Sequence, residues 1–293
     1  MMGTKPPMAA VIVVFAVVVA VTYSQAAVVA PYTPVFYPSG DLQIQAYLYK
    51  PSGDGPVPVV IYNHGARHGR ERNLVPQQHI GWLLTRAGYA VLVSERRGYG
   101  RSDGATWAEE VGGRKARVVP RLQEETGDVL AALDYLRTLP FVDMKRVGIM
   151  GWSFGGIVTL FSISRSSAFS VAIPQAGGAL TWDGNPDVRS ALIAAAEKAT
   201  TPTLLMIAQN DRTTAPVTAL AEIFKRRGVP HRAVIYPPFA PRRSDPDTPP
   251  GHRIFSEEGM NIWQNDALEF LGRYLGAASP GTSAGPEPVK PQQ

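Results

Sequence analysis

The sequence predicts an α/β fold built on one mostly parallel sheet with helices on both faces. Two observations predict this class. Strand and helix patterns alternate between residues 42 and 275, as repeated strand–helix units require. Some strand candidates, such as Val57–Tyr62 and Ala90–Ser94, are continuous apolar runs. Such runs are typical of strands that are buried on both faces of a parallel sheet.

The predicted strands begin with a segment of a different kind. Gln43–Tyr49 alternates polar and apolar residues, which is typical of an exposed or edge strand. After the two apolar runs, four more strands are expected, at Arg146–Met150, Phe169–Ile173, Thr203–Ala208 and Arg232–Tyr236. Their spacing leaves room for a helix between neighbours, so we expect a single domain without internal repeats.

Helix patterns fill the intervals between these strands. Gln77–Arg86 is expected to end at Gly88, and Leu122–Leu139 carries apolar residues at helical spacing before Pro140 stops it. Further helices are predicted at Gly155–Arg165, Pro186–Lys198, Ala215–Arg227 and Asn261–Leu275. The connection Pro174–Thr201 is too short for a cap domain, so we expect a minimal cap and a fairly open site.

The two ends of the chain differ in character from the domain, which we assign to residues 31–276. Lys5 precedes an apolar segment, Met8–Val21, and small residues stand at Ser24 and Ala26. This pattern predicts a signal peptide over residues 1–26, with an uncleaved membrane anchor as the alternative. We therefore expect an exported protein, periplasmic or secreted. If the signal is not cleaved, the N-terminus would attach the protein to the membrane. Residues 277–293 are rich in Pro, Gly, Ser and Ala and predict a disordered tail.

Composition excludes several classes of protein. The chain has 293 residues, 45% hydrophobic and 18% charged, which is ample for one buried core. It contains no cysteine, so disulfides, thiol nucleophiles and thiolate metal sites are excluded. The formal net charge of +5 is not concentrated in an aromatic-interleaved basic stretch. Nucleic-acid binding is therefore not expected.

The segment Gly151-Trp152-Ser153-Phe154-Gly155 has the pattern G-x-S-x-G, in which a serine stands on a sharp strand-to-helix turn. It follows one predicted strand and opens one predicted helix. Side chains at 151 or 155 would collide with the neighbouring strand and helix. The amino end of the helix directs N–H groups at developing negative charge. We interpret Ser153 as a nucleophile, with an ordinary serine in a Gly-rich turn as the alternative.

A serine hydroxyl needs a base, and the base needs an acid to orient it. Asp211 directly follows the strand Thr203–Ala208, and His252 lies between the last strand and the last helix. Both therefore belong to the same edge of the sheet as Ser153, in the order serine, acid, histidine. Asp211 could instead cap the next helix. Asp245 and Asp247 are weaker candidates for the acid.

An oxyanion hole requires two backbone donors. We assign one to the N–H of Phe154 and the other to the N–H of Ala66, in the loop after Val57–Tyr62, where Gly65 allows close approach. His64 is interpreted as bracing this loop by hydrogen bonds. The remaining histidines lack ligand-like spacing, so neither a metal nor a cofactor is expected.

These motifs together resemble the α/β-hydrolase superfamily, in particular its dienelactone hydrolase-like and prolyl oligopeptidase-like branch. The resemblance rests on four pieces: Tyr62-Asn63-His64-Gly65, Arg97-Gly98-Tyr99-Gly100-Arg101-Ser102, the G-x-S-x-G segment with Gly156, and the placements of Asp211 and His252. It covers Val57 to about Leu275. Two departures are the serine in place of the cysteine of dienelactone hydrolases, and Glu95 where Asp is common.

The resemblance implies a serine hydrolase that acts on a small-molecule ester or other acyl substrate. No segment resembles the propeller of the large peptidases, which favours an esterase. An exopeptidase or amidase using the same three residues is the alternative, and a non-catalytic hydrolase-like binding protein is a further one. Arg67, Trp152 and Trp182 are predicted to border the substrate pocket, although Trp182 could equally be a packed surface residue.

Overall fold

The computed structural model describes residues 31–53, 55–243 and 245–276. They form one eight-stranded sheet in the order β1-β2-β4-β3-β5-β6-β7-β8. The strands are β1 (Thr33–Ser39), β2 (Leu42–Tyr49), β3 (Val57–Asn63), β4 (Ala90–Ser94), β5 (Val142–Trp152), β6 (Val171–Gln175), β7 (Thr203–Ala208) and β8 (His231–Tyr236). The helices are α1 (Gln78–Arg86), α2 (Trp107–Glu110), α3 (Val118–Arg137), α4 (Phe154–Arg165), α5 (Pro186–Ala196), α6 (Ala215–Arg227) and α7 (Met260–Leu275).

The sheet is parallel except at β2, which runs antiparallel to both of its neighbours, β1 and β4. Helices cover both faces, as the two sides of β5 demonstrate. A Cβ on Gly148 would contact Leu275 of α7, whereas one on Gly151 would strike the start of α4. Residues an odd number apart on a strand point to opposite faces, so α4 and α7 lie on opposite sides. The predicted fold class is confirmed.

The apolar runs form the strands at the centre of the core. β3, β4, β6 and β7 are almost completely buried, as their continuous apolar sequences predict. The loops that carry the candidate site residues follow the carboxyl ends of these parallel strands. At that edge Asn63 pairs with Gly151, and Ala208 pairs with Tyr236. The sheet thereby places distant segments of sequence side by side.

Some element boundaries differ from the sequence predictions. β1 was missed, because its sequence TPVFYPS contains two prolines and lacks clean alternation. The expectation of an exposed or edge strand at Gln43–Tyr49 was wrong, because β2 is mostly buried and lies between β1 and β4. α2 was missed because it has only four residues, although Thr106 and Glu109 form a capping box at its start. α3 begins at Val118, since Pro120 is tolerated in a first turn. β6 lies at Val171–Gln175, two residues later than expected, since Gln175 still pairs with Trp152 beyond the proline of the run.

The connection between β6 and β7 contains α5 as its only regular element among the described residues. The expectation of a minimal cap is therefore confirmed. The predicted signal peptide and the predicted C-terminal tail lie outside the described residues. Within 31–53, 55–243 and 245–276, no helix combines the length and the apolar character needed to cross a membrane.

Candidate active site

Ser153 stands at the turn between β5 and α4 with backbone angles of φ 59° and ψ −117°. A positive φ is costly for a residue with a side chain, and it persists only where the surrounding structure enforces it. Its N–H donates to the carbonyl oxygen of Gln175 on β6 at 2.9 Å. The strained turn lifts the hydroxyl above the carboxyl edge of the sheet, as the G-x-S-x-G pattern predicts.

The glycines of this turn are required by close packing. A Cβ on Gly151 would lie 2.5 Å from the carbonyl oxygen of Gly155. A Cβ on Gly155 would lie 2.0 Å from the carbonyl oxygen of Asn63, at the end of β3. Real Cβ atoms do not approach backbone so closely. The prediction that side chains at 151 and 155 would collide is therefore confirmed.

Ser153, His252 and Asp211 form one continuous line of hydrogen bonds. His252 Nε2 lies 2.9 Å from Ser153 Oγ, and His252 Nδ1 lies 2.8 Å from Asp211 Oδ2. The carboxylate can only accept, so Nδ1 carries a proton and Nε2 is left to accept from the serine hydroxyl. His252 is 2% exposed and Asp211 8% exposed, so water competes little for either bond. The structure thus brings together all three residues selected from the sequence.

Asp211 is oriented by its own turn after β7. Its second carboxylate oxygen, Oδ1, accepts from the backbone N–H of Arg212 at 2.6 Å, which leaves Oδ2 for the imidazole. The alternative acids Asp245 and Asp247 are exposed, and Asp245 binds the N–H of Asp247 instead. The structure therefore pairs the histidine with Asp211.

Three further residues fix the histidine, and sequence reasoning did not assign them this task. Trp152 Nε1 donates to the carbonyl oxygen of His252 at 2.9 Å. Gly251 packs so tightly on the Asp211 turn that a Cβ would lie 2.4 Å from the backbone nitrogen of Asp211. Asn210 clamps the chain after β8 through two bonds to the backbone of Phe239, at 2.8 and 2.9 Å. A glycine directly before the histidine was the signal available in the sequence.

The two assigned oxyanion donors flank Ser153. Phe154 is the first residue of α4, so its N–H has no partner within the helix. A Cβ on Gly65 would lie 3.4 Å from Ser153 Cβ. The loop containing Ala66 therefore packs on the strand-to-helix turn at residues 151–155, the nucleophile elbow. Within the described chain, neither of these two N–H groups donates to another protein group. Both are thus available to a substrate oxygen, and their assignment as donors stays a prediction.

An aromatic cluster forms around Phe154, the residue after the nucleophile, and no sequence pattern predicted it. The rings of Trp107 and Phe154 lie 4.6 Å apart, and His68 lies edge-on to both, at 6.1 and 6.0 Å. Trp107 and Phe154 are buried, whereas His68 is exposed. The short helix α2 carries Trp107 into this position. Since Phe154 directly follows Ser153, the cluster begins one residue from the nucleophile.

The structure gives the predicted pocket residues different surroundings. Trp152 lies at the site, against the imidazole of His252 with ring centroids 5.7 Å apart. The guanidinium of Arg67 is held in an ion pair with the buried carboxylate of Glu95. Trp182 is buried in the core beside Gly178. The pocket roles of Arg67 and Trp182 stay predictions, and the structure does not place either side chain against Ser153.

Known proteins resemble this chain in sequence and in fold. The model of the prolyl oligopeptidase family matches residues 77–182, a segment that includes the nucleophile elbow. An acylaminoacyl peptidase from Pyrococcus horikoshii is similar in structure, with a TM-score of 0.64 and 20% identity over 84% of this chain and 42% of that one. A Pyrococcus furiosus esterase is similar over 84% of this chain and 92% of its own, with a TM-score of 0.60 and 19% identity.

The sheet order, the elbow and these similarities agree. The chain has the α/β-hydrolase fold. The resemblance stated from the sequence motifs is thereby confirmed at the level of the fold. The match to the prolyl oligopeptidase family over residues 77–182 agrees with the expectation of a serine hydrolase.

One curated relative of this chain is the quorum-quenching protein AidA of Acinetobacter baumannii. It is 29% identical over 141 residues, which are 48% of this chain and 42% of that relative. The chain spans less than two thirds of the length of the first curated relatives that it matches.

Proposed function

We propose that this α/β-hydrolase cleaves a carboxylic ester or a related acyl bond of a small molecule through an acyl-serine intermediate on Ser153. The observation that carries the proposal is the unbroken line of hydrogen bonds from Ser153 through His252 to Asp211. A serine in this arrangement is activated by the imidazole, and the carboxylate holds that imidazole in the required tautomer.

In the proposed reaction, Ser153 Oγ attacks the substrate carbonyl carbon while His252 Nε2 takes the hydroxyl proton. The carbonyl oxygen becomes an oxyanion, stabilised by the N–H groups of Phe154 and Ala66. The bond to the leaving alkoxide then breaks, and His252 returns the proton to it. A water molecule, activated by the same imidazole, hydrolyses the acyl-serine and regenerates the hydroxyl.

Two features support an ester over an amide. An alkoxide leaving group needs only the proton that His252 supplies, whereas an amine requires stronger protonation and a group that anchors it. The residue after Ser153 is Phe154, whose ring packs on Trp107, and aromatic neighbours suit an apolar acyl or alcohol group better than a charged amine. An exopeptidase or amidase remains the second candidate, favoured by the match to the prolyl oligopeptidase family.

Hydrolysis of short-chain p-nitrophenyl esters tests the proposal. We expect turnover by the wild type and a fall in kcat of at least about 10³-fold in Ser153→Ala, because the nucleophile and base act as a unit. Labelling by a fluorophosphonate should require Ser153 in the same way. Wild type and Ser153→Ala of equal activity would refute the acyl-serine mechanism. Aminoacyl-anilide substrates, assayed in parallel, distinguish the exopeptidase.

Export is part of the proposal. Its support is the pattern of a charged start, an apolar centre and small residues ending at Ala26. N-terminal sequencing of the protein recovered from outside the cytoplasm should begin at Ala27. Recovery of an intact N-terminus from the membrane fraction would favour the uncleaved anchor.

A further inference from the structure

The loop after β3 carries the assigned oxyanion donor Ala66, and a buried chain of polar side chains lies behind it. Gly65 packs on the elbow, where a Cβ would lie 3.3 Å from the carbonyl oxygen of Trp152. The side chain of His64 is 1% exposed and contacts the carbonyl oxygen of Gly65. What fixes this imidazole also fixes the loop.

His64 has one tautomer that satisfies its neighbours. Its Nδ1 lies 2.7 Å from the carbonyl oxygen of Gly65, which can only accept, so Nδ1 carries the proton. Its Nε2 lies 3.2 Å from Arg67 Nη2, which can only donate, so Nε2 accepts. Burial, together with Arg96 and Arg67, lowers the pKa of His64 well below its ordinary value. The imidazole is neutral and holds the Gly65 carbonyl by a donated bond.

Arg67 is in turn held by Glu95, which directly follows β4. Both terminal nitrogens of the guanidinium bond the carboxylate, Nη2 to Oε2 and Nη1 to Oε1. Nη1 also donates to the carbonyl oxygen of Asn73 at 2.7 Å, and the guanidinium lies over the ring of Tyr99. The Glu95 side chain is completely buried. A two-point ion pair of this kind fixes direction as well as distance.

The sheet anchors the far end of this chain. The backbone N–H of Glu95 donates to the carbonyl oxygen of Gln45 on β2 at 2.9 Å, which continues the pairing of the strands. A rigid strand end therefore supports the carboxylate. Each member of this chain of contacts orients the next: Glu95 orients Arg67, Arg67 orients His64, and His64 orients the Gly65 carbonyl.

The last step depends on the geometry of the peptide unit. The described residues contain no cis peptide bond, and a trans peptide directs its carbonyl oxygen and its N–H to opposite sides. The carbonyl of Gly65 and the N–H of Ala66 belong to one such unit. Because the imidazole of His64 holds the carbonyl of Gly65, the N–H of Ala66 points away from that imidazole.

We propose that Glu95, acting through Arg67 and His64, is a positioning residue that aims the Ala66 N–H at the substrate oxyanion. The proposal rests on the proposed function, because it needs an oxyanion to form. It reassigns Arg67 from the pocket border to the support of the loop. The chain of contacts predicts an effect on the transition state, where the oxyanion exists, and little effect on binding of the neutral ester.

The test compares two buried carboxylates that each pair with an arginine. Glu95→Gln keeps the size of the side chain and removes its charge. Asp128→Asn is the matched control, because Asp128 is equally buried and binds Arg97 at 2.9 Å. Among the described residues, it makes no hydrogen bond to the loop that carries Ala66. Both variants should lose stability. Only Glu95→Gln should lose kcat, by about 10- to 100-fold with KM within about threefold of wild type, since removal of a donor costs about 10²–10³-fold.

Two further measurements exclude a merely structural effect. Active enzyme is titrated with a fluorophosphonate, so that kcat refers to folded sites alone. Inhibition by butylboronic acid, which forms a tetrahedral adduct with the serine hydroxyl, should weaken by the same factor as kcat falls. Arg67→Gln enters the same chain at its second member and should show the same split. The double variant should be no worse than either single one, because both break one path.

The outcomes separate this proposal from the proposed function. If wild type and Ser153→Ala are equally inert, the hydrolase mechanism itself fails. If hydrolysis depends on Ser153 but Glu95→Gln keeps wild-type kcat per titrated site, the positioning role alone is overturned. Equal losses of kcat in Glu95→Gln and Asp128→Asn would overturn it as well. If Glu95→Gln does not fold, Arg67→Gln provides the test. A fall in its kcat per titrated site supports the positioning role, and wild-type kcat overturns it.

Discussion

Replacement of Gly155 by alanine tests how closely the elbow must approach β3. The new Cβ would lie 2.0 Å from the carbonyl oxygen of Asn63 and 2.7 Å from that of His64. Both contacts are backbone atoms, so no side-chain rotation relieves them. The chain must separate by about 1 Å to reach the shortest distance that real Cβ atoms show, 3.0 Å. Overpacking of this kind costs about 1–3 kcal/mol.

The same displacement should reduce catalysis. A shift of about 1 Å at the nucleophile can lower the rate about 100-fold, and the clash lies between the elbow and the loop that carries the second oxyanion donor. Thermal unfolding should show a midpoint lower by about 2–12 °C, given about 2–4 °C per kcal/mol for a domain of this size. The p-nitrophenyl ester assay should show a fall in kcat/KM of about 10- to 100-fold.

Gly127→Ala provides the matched control. Gly127 lies inside α3, and a Cβ there would have no atom within 4 Å. Alanine at an interior helix position should raise the free energy of unfolding by about 0.5–1 kcal/mol and leave hydrolysis unchanged. If Gly155→Ala matched Gly127→Ala in stability and activity, close approach of the elbow to β3 would not be the reason for the glycine.

Three further changes have expected results of different kinds. Trp152→Phe removes the bond to the His252 carbonyl, so kcat should fall by about 2- to 10-fold, measured by steady-state kinetics, because such a bond contributes about 0.5–1.5 kcal/mol. Burial lowers the pKa of His79 to about 4; its folded form stays neutral while the unfolded chain gains a proton below about pH 6.5. Stability is therefore lost as pH falls, and urea unfolding at pH 7 and pH 5 should show that His79→Leu avoids about 2 kcal/mol of the loss. Arg226→Ala breaks only an exposed ion pair with Glu197, so the free energy of unfolding should change by less than about 1 kcal/mol. A larger change in urea unfolding would contradict the expectation that exposed ion pairs contribute little.

The sequence predicted the central sheet well because burial on both faces leaves a local trace. β4, β7 and α6 have the bounds that their patterns predicted. β1 leaves no such trace, because its residues are mostly exposed and its order comes from pairing with β2 across a turn. Local pattern predicts elements whose own residues are buried, and it misses those whose stability comes from a neighbour.

The site divides along a similar line. Ser153, Asp211 and His252 could be selected because each follows a strand, and parallel strands bring their carboxyl ends to one edge. The supporting roles of Asn210 and Trp152 escaped this reasoning, although Trp152 was predicted to border the pocket. Their contributions are bonds to backbone atoms of Phe239 and His252, and no residue pattern reports which carbonyl a side chain reaches.

Arg67 and Glu95 show why charge is the hardest feature to interpret from sequence. Arginine and glutamate usually lie on the protein surface, and a buried charge is unfavourable unless a partner compensates it. Burial raises the pKa of Glu95, while the Arg67 guanidinium opposes that rise. The pair is therefore stable only because the two strand ends that precede these residues, at Asn63 and Ser94, are neighbours in register. A feature that depends on the register of two strands cannot be found in either segment alone, and it is this register that connects the sheet to the direction of a single N–H group.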